Sequence, residues 1–505
     1  MDELTPEAPS AEDAAVIEAP TIWSGGLLPV TLANLTIVAL AAFDGLAVTA
    51  ALPSIAEDLG DVGLLPWVIT AYYGASAIAV IVAGPLIDGF GVRRTFRLTV
   101  VWFLVTSLMC AFAPNLPLLV AARTAQGLGG GLVITVAFAS VGLAYPTRLR
   151  ARAFAANSLV WGTLGLGGPA LAGVVLEVTS WRIVFLLQVP LTAAALVAGW
   201  TKHPRTRLRP TRPHVDVVGI VLLVALTLIT LIGFAQVGVR WWAVGVAAAS
   251  SVLLVAAYWA HAGRSAEPVL LRRHLAATPI RFAHLTAALV LTAGLCIDSY
   301  LPLYINLVEG RSIGFAAATV VFLTIGWSSG SVASSRLLDH YSEAQVIMAG
   351  SSIMIPALVG GAAFVFASVP MWWLFGTYVI TGLSIGLVST SGLTLLQKGS
   401  VATEIGRVNA AHQFVRTLGI TYGVALGGSV LLFVVARRTG DVEVVRSLLA
   451  GDEAADVAGA TRDAVASGLA WAHVAGAVVA VAALAAAITL LRHSPSDADD
   501  ERVSI

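Results

Sequence analysis

The sequence predicts an all-α polytopic membrane protein with fourteen transmembrane helices, and three observations carry that prediction. The chain is 58% hydrophobic, with a mean hydropathy of +0.87. Asp, Glu, Lys and Arg make up only 11% of it, about half the share found in soluble domains. Apolar runs of about 20 residues, the length that crosses a bilayer core, recur from one end to the other.

Each run is bounded by charge clusters or by Pro and Gly breaks. The first six are 28–53, 64–88, 96–113, 116–141, 152–177 and 182–201, the first of them starting beyond Gly26 and ending at Pro53. VRRTFR (92–97), TRLRAR (147–152) and KHPRTRLRPTR (202–212) are the basic stretches among and after them. Two more runs, 215–237 and 241–261, lead into the basic segment GRSAEPVLLRRHL (263–275). The last six are 277–308, 313–338, 344–367, 370–397, 405–437 and 466–492. With the N-terminus in the cytoplasm, 20 of the 29 Lys and Arg fall in cytoplasmic segments, seven fall outside, and Arg123 and Arg416 fall within spans. Such an excess sets orientation, so both tails are expected in the cytoplasm. Trp67, Trp181, Trp241, Trp242, Trp372 and Trp373 fall at outer ends, and Trp23, Trp200 and Trp259 at inner ends, as in an interfacial aromatic belt.

The chain thus divides into a tail (1–25), a six-helix half (26–201), a basic cytoplasmic loop (202–214) and two inserted spans (215–261). A linker (262–276), a second six-helix half (277–492) with an outer connection at 438–465, and a second tail (493–505) follow. The halves echo one another: GPLID (84–88) matches SRLLD (335–339), and RTAQGLGGG (123–131) matches YVITGLSIG (378–386). Parallel repeats of this kind are a transporter architecture.

Composition also excludes. Net charge is zero and the pI about 7.1, so nothing points to a nucleic-acid partner. Cys110 and Cys296 both lie in apolar runs; two isolated cysteines make neither a disulfide framework nor a metal site. Residues 1–20 are acidic and Ala/Pro-rich without a basic region, a disordered tail in pattern and not a signal peptide. No HExxH or phosphate-binding loop occurs, so an enzyme is not expected, and neither a metal nor a cofactor is implied. The heavy use of Arg over Lys (27 against 2) and of Ala, Val and Gly suggests a GC-rich bacterial genome.

Four stretches resemble the major facilitator superfamily, and within it the fourteen-span drug:proton antiporter branch. GPLIDGFGVRR (84–94) is similar to that family's loop between spans two and three, G-x-L-x-D-R-x-G-R-R, with Gly89 in place of a basic residue and the basic pair shifted by one. There Gly84 would admit a close helix, Asp88 would face a helix N-terminus or an Arg, and Arg93 and Arg94 would anchor the turn. RTAQGLGGG resembles the span-four motif, with Arg123, Gln126 and Gly127. GTLGLGGPALAG (162–173) resembles the antiporter motif of span five, in which Gly168, Pro169 and Gly173 permit tight packing. SWRIVFLLQVP (180–190) resembles the start of span six in the fourteen-span branch. The resemblance implies a monomeric transporter in the plasma (inner) membrane, driven by the proton gradient and partnered by a small molecule and the bilayer.

Among the acids only Asp44 and Asp298 lie well inside spans. Asp44 is roughly 24 Å from the cytoplasmic start of span one and Arg123 roughly 10 Å from the outer start of span four, at 1.5 Å per residue; in a core of about 30 Å those depths overlap. Burial favours the protonated form of a carboxyl and a nearby guanidinium favours the ionised form. A helix motion that changes the neighbour can therefore move a proton, and Asp44 is the expected carrier. Asp298 reads either as a second protonation site, as a cation contact, or as part of an outer vestibule. Arg416, with Gln413 a turn before it, reads either as an anion contact or as half of a structural pair. His284 and His412 read as lone core imidazoles. Tyr72, Tyr73, Trp161, Tyr300, Tyr304 and Trp327 are candidates to line an apolar central cavity. The expected function is proton-coupled efflux of drugs or other apolar or amphiphilic molecules; the alternative is a lipid or single-metabolite transporter on the same scaffold.

Overall fold

A computed structural model describes residues 21–60, 64–65, 67–204, 216–237, 240–265, 268–272, 276–401, 403–439 and 459–494. Most of both tails, of the basic loop and of the 438–465 connection lies outside the described residues. So do the side chains at positions 168, 169 and 173, on which the span-five expectation for Gly168, Pro169 and Gly173 rests.

Every described helix is α-helical apart from a short 3-10 turn at Gly25–Leu27, and no strand occurs among the described residues. The first half holds α1 (Leu28–Leu59), α2 (Trp67–Phe90), α3 (Val92–Ala111), α4 (Leu116–Ala144), α5 (Thr147–Val178), α6 (Arg182–Leu186) and α7 (Gln188–Gly199). Then come α8 (Val217–Ala235) and α9 (Trp241–Arg264). The second half holds α10 (Thr278–Asp298), α11 (Leu301–Leu307), α12 (Ile313–Ala318), α13 (Val321–Leu337), α14 (Glu343–Phe366), α15 (Met371–Lys398), α16 (Ile405–Thr439) and α17 (Gly459–His493).

Twelve described helical segments are long and apolar enough to cross a membrane. The expected spans at 152–177 and 313–338 are not among them. α13 is 17 residues long, short for a core of about 30 Å at 1.5 Å per residue, and it buries Gly326, Ser328, Gly330, Ser331, Ser334 and Ser335 where it packs on α15 and α5. α5 opens on Arg148, Arg150 and Arg152, and several of its side chains lie outside the described residues. Three expected single spans are each divided. The 182–201 run breaks at Leu187 between α6 and α7, the 277–308 run breaks at Ser299–Tyr300, where Pro302 opens α11, and the 313–338 run breaks at Thr319–Val320 between α12 and α13.

The halves meet along two seams, α2 against α16 and α5 against α13. At the first, a Cβ on Gly84 would stand 2.9 Å from the Arg407 Cα, so the backbones are as close as glycine allows. Within the first half, a Cβ on Gly127 would reach to 2.2 Å of the Tyr72 carbonyl oxygen, which is why α2 and α4 pack so tightly. The pair α8–α9 leans on α16 and α2 from outside and is the least buried of the apolar helices.

Hydrogen bonds joining the halves gather at the end that carries the Arg-rich turns. The Asp88 carboxylate accepts from the backbone N–H groups of Gly406 (2.9 Å) and Arg407 (3.1 Å), at the start of α16, where the helix dipole favours an anion. Arg150 donates to the Gln397 carbonyl (3.0 Å), Gln397 Nε2 donates to the Phe138 carbonyl (2.9 Å), and Arg152 meets Asp339 at 3.0 Å. Arg93 donates to the carbonyls of His203 and Thr201, and the Arg94 guanidinium lies 4.8 Å from the Phe90 ring centre. Trp181, expected in the aromatic belt, is instead 2% exposed and donates to Asp58 (3.0 Å). Its indole N–H found a carboxylate in the protein, so it does not need the interface.

His203 follows α7 and is fully buried, with its ring 4.2 Å from that of Phe96 and Nδ1 3.3 Å from Ser140 Oγ. Burial, helped by the adjacent Arg93 charge, pushes the imidazole down to about 4 from its ordinary 6.5. The folded protein thus holds His203 neutral where the unfolded chain takes up a proton, so stability is lost as pH falls from about 6.5 towards 4. In detergent, the melting temperature of the wild type should fall across that window more steeply than that of His203→Gln; parallel curves would remove this assignment.

Candidate functional site

In α1, Asp44 is the single acid in a run of small and apolar residues, so helix formation carries it into the bundle whether or not it finds a partner. It finds two donors, which make three contacts. Arg123 Nη1 on α4 lies 2.9 and 3.0 Å from its two oxygens, and Gln188 Nε2 on α7 lies 2.9 Å from Oδ1. Asp44, Arg123 and Gln188 are all 0% exposed. The network continues: Arg123 Nη1 also donates to Gln126 Oε1 (2.6 Å), Gln126 Nε2 to Gln188 Oε1 (3.0 Å) and to Ser107 Oγ (2.9 Å), and Arg123 Nε to the Val68 carbonyl (3.1 Å). The Tyr72 ring covers the guanidinium at 4.1 Å. Arg123 Nη2 has no hydrogen-bond partner among the described residues.

Chemically, this is a charge pair stripped of water whose amide partners can both donate and accept. Protonating Asp44 would cancel the attraction while leaving Gln188 and Gln126 able to reorganise around Arg123. Gln188 and Ser107 were not singled out from the sequence; the visible signal is an amide immediately before Val189–Pro190 in an otherwise apolar run.

A cavity of about 420 Å³ lies between the halves, apart from this pair. Its walls include Trp161 and Trp327, as the sequence suggests, with Asp298 and Arg416 on the second half's side and Phe138 and Phe154 on the first half's. The Gln397–Phe138 bond closes the wall toward the Arg-rich end. Asp298 is 7% exposed and makes no hydrogen bond or ion pair among the described residues. Arg416 Nη1 donates to Gln413 Oε1 (3.0 Å) and its Nε has no hydrogen-bond partner among the described residues.

Four aromatic expectations are corrected. Tyr72 is spent on Arg123, and Tyr73 is half exposed, edge-on to Tyr72, and outside the cavity wall. Tyr300 donates to the Val424 carbonyl (2.8 Å) and Tyr304 to Glu309 (3.0 Å), so neither hydroxyl serves the cavity. Nor are the two histidines lone: His284 Nδ1 on α10 and His412 Nδ1 on α16 stand 3.2 Å apart. Residues 128 apart in sequence meet because α10 and α16 are neighbours, which no local pattern reveals. In the repeat that pairs 123–131 with 378–386, Tyr378 stands where the first half has Arg123; it is fully buried and donates to the Ile297 carbonyl (3.2 Å).

The profile described as the Major Facilitator Superfamily matches residues 35–424. A Mycobacterium tuberculosis protein named a probable multidrug-efflux transporter is 29% identical over 428 residues, covering 81% of this chain and 88% of that one. The tetracenomycin C resistance and export protein of Streptomyces glaucescens is 27% identical over 421 residues, covering 82% and 77%. Another mycobacterial relative, named an uncharacterized MFS-type transporter, is 28% identical, and the match covers 78% of this chain but only 58% of that longer protein. Among solved structures, a proton:xylose symporter bound to a glucose derivative superposes with a TM-score of 0.59 at 12% identity, over 92% of this chain and 95% of that one.

Breaking a buried ion pair by removing one partner costs about 3–5 kcal/mol, whereas replacing both with apolar groups is often nearly neutral. Arg123→Met should therefore lower the melting temperature in detergent sharply, and Arg123→Met with Asp44→Leu should recover most of the loss. Additive losses in the double variant would show that the two charges do not depend on each other.

Proposed function

Because the chain belongs to the major facilitator superfamily, we propose that this transporter is a proton-coupled exporter of drugs or other apolar and amphiphilic small molecules, with Asp44 as the proton carrier. The observation that carries the reading is the fully buried Asp44–Arg123 pair at 2.9 Å, held by amides that can rewire when the carboxylate is neutralised. Relatives named for multidrug efflux and for tetracenomycin C export support the cargo class and the direction. In this reading α5 and α13 count as spans, giving fourteen crossings as two six-helix halves with α8 and α9 inserted. Both termini lie in the cytoplasm of a bacterial cell, and the protein works as a monomer in the inner membrane.

The mechanism follows from the geometry. The Asp88, Arg150 and Arg152 contacts hold the cytoplasmic ends of the halves together, so the cavity is shut on that side and cargo exchange is to the outside. A proton reaching Asp44 removes the attraction for Arg123, loosens α1 from α4 and α7, and lets the first half rock. The Asp88 bonds to the start of α16 then break, and the cavity faces the cytoplasm. Cargo binds, the proton leaves, the Asp44–Arg123 pair reforms, and the cycle closes. No cofactor is needed, since the proton gradient supplies the free energy.

A second reading, a lipid transporter on the same scaffold, is favoured by one observation. A wide groove of about 780 Å³ opens between α5 and α13, lined by apolar residues such as Leu159, Ile325 and Val332, and shares Gly162 and Ser328 with the central cavity.

The purified protein in liposomes with a pH gradient, given a panel of amphiphilic drugs, should show substrate-dependent proton flux. Asp44→Asn should abolish that flux while leaving expression intact, at a lowered melting temperature because Arg123 loses its countercharge. Full coupled flux in Asp44→Asn removes Asp44 as carrier, and movement of labelled phospholipid without drug-dependent proton flux favours the lipid reading.

A further inference from the structure

The two embedded charges of the second half differ in kind from those of the first. Asp44 and Arg123 pair with each other and line neither the central cavity nor the α5–α13 groove. Asp298 and Arg416 both line the cavity, and neither has a countercharge among the described residues. Among the described residues Asp298 Oδ1 is buried without a hydrogen-bond partner, and Arg416 keeps its Nε unpartnered while Gln413 takes one of its nitrogens. Taking an isolated carboxylate and an isolated guanidinium out of water is costly unless each is paired. A cation entering the cavity answers Asp298 and leaves Arg416 unanswered; an anion does the reverse. Only a molecule that carries both signs answers both groups at once.

The rest of the wall says what joins those two ends. The Arg416 guanidinium is framed by Trp327 and Phe138, whose ring centres lie 5.9 and 6.0 Å from Cζ, and Trp161 and Phe154 also line the cavity. Flat aromatic walls favour a planar, conjugated body, and a volume of about 420 Å³ is within the range that holds a drug-sized ligand.

We infer that the cavity is built for planar aromatic molecules that are amphoteric, with an acidic group set on Arg416 and a basic or hydrogen-bond-donating group set on Asp298. This names the cargo class and rests on the exporter reading above. It assigns Asp298 and Arg416 to cargo recognition and leaves the proton to Asp44.

Three xanthene dyes share one skeleton and differ in charge: a rhodamine with a free carboxyl group (zwitterion), its methyl ester (cation) and fluorescein (anion). Fluorescence polarisation with the purified full-length protein in detergent, with no gradient, measures their affinities. The zwitterion should bind about tenfold more tightly than either singly charged dye, a difference of about 1.4 kcal/mol. Asp298→Asn should weaken the zwitterion and the ester but not fluorescein. Arg416→Gln should weaken the zwitterion and fluorescein but not the ester. Affinity ratios within one variant do not depend on how much of the sample is folded, so partial misfolding cannot mimic the pattern. Equal affinities for the three dyes, no binding of the zwitterion, or both substitutions weakening all three dyes alike would each overturn the inference. Dye selectivity without any proton flux in liposomes would instead leave this site standing and remove proton coupling.

Discussion

A guanidinium cannot lie in a bilayer core without something to neutralise it. Water is absent there, and the cost of an unpaired Arg is at least about 3 kcal/mol. Arg123 therefore fixes much of the first half. It holds α1 to α4 through Asp44, reaches α2 through the Val68 carbonyl and the Tyr72 ring, and draws α7 in through Gln188. Gly127, one turn along, brings α2 close enough for those contacts to form. Four helices thus converge on one side chain, and its state of pairing is felt by all of them.

That convergence was partly legible in the sequence. Counting residues from the ends of the spans puts Asp44 and Arg123 at overlapping depths, because rise per residue and bilayer thickness are fixed by geometry. Asp88 was legible for a similar reason, since a carboxylate at a turn is drawn to the start of a helix. Gln188, Ser107 and the His284–His412 contact were not legible. A polar side chain in an apolar helix has no periodic signal, and its partner lies on another helix at an unrelated sequence position. The tyrosines misled for a related reason. In a membrane the lipid face is as apolar as the interior, so an aromatic side chain does not announce whether it faces a cavity, a neighbouring helix or the bilayer. Tyr300 and Tyr304 turned out to serve backbone and Glu309.

The apolar-run count shows the same limit from the other side. Where α13 packs on α5 and α15 it buries serine and glycine, and α5 carries three arginines in its first two turns. Hydropathy fades where helices serve one another. α8, which faces outward, gives a far stronger apolar signal while contributing little to the interior.

The outward-lying pair α8–α9 changes what the two seams can do. Leu223, Tyr258 and Ala262 from that pair join Val269 and Leu270 in one cluster with Val80 and Ile81 of α2 and Ala411 and Phe414 of α16. This plates over the α2–α16 seam, and nothing comparable among the described residues lies over the α5–α13 groove. A bundle of two matched halves would present two equivalent flanks; this one has a shuttered flank and a grooved one. The protein thus has a handedness toward its surroundings that its internal repeat lacks.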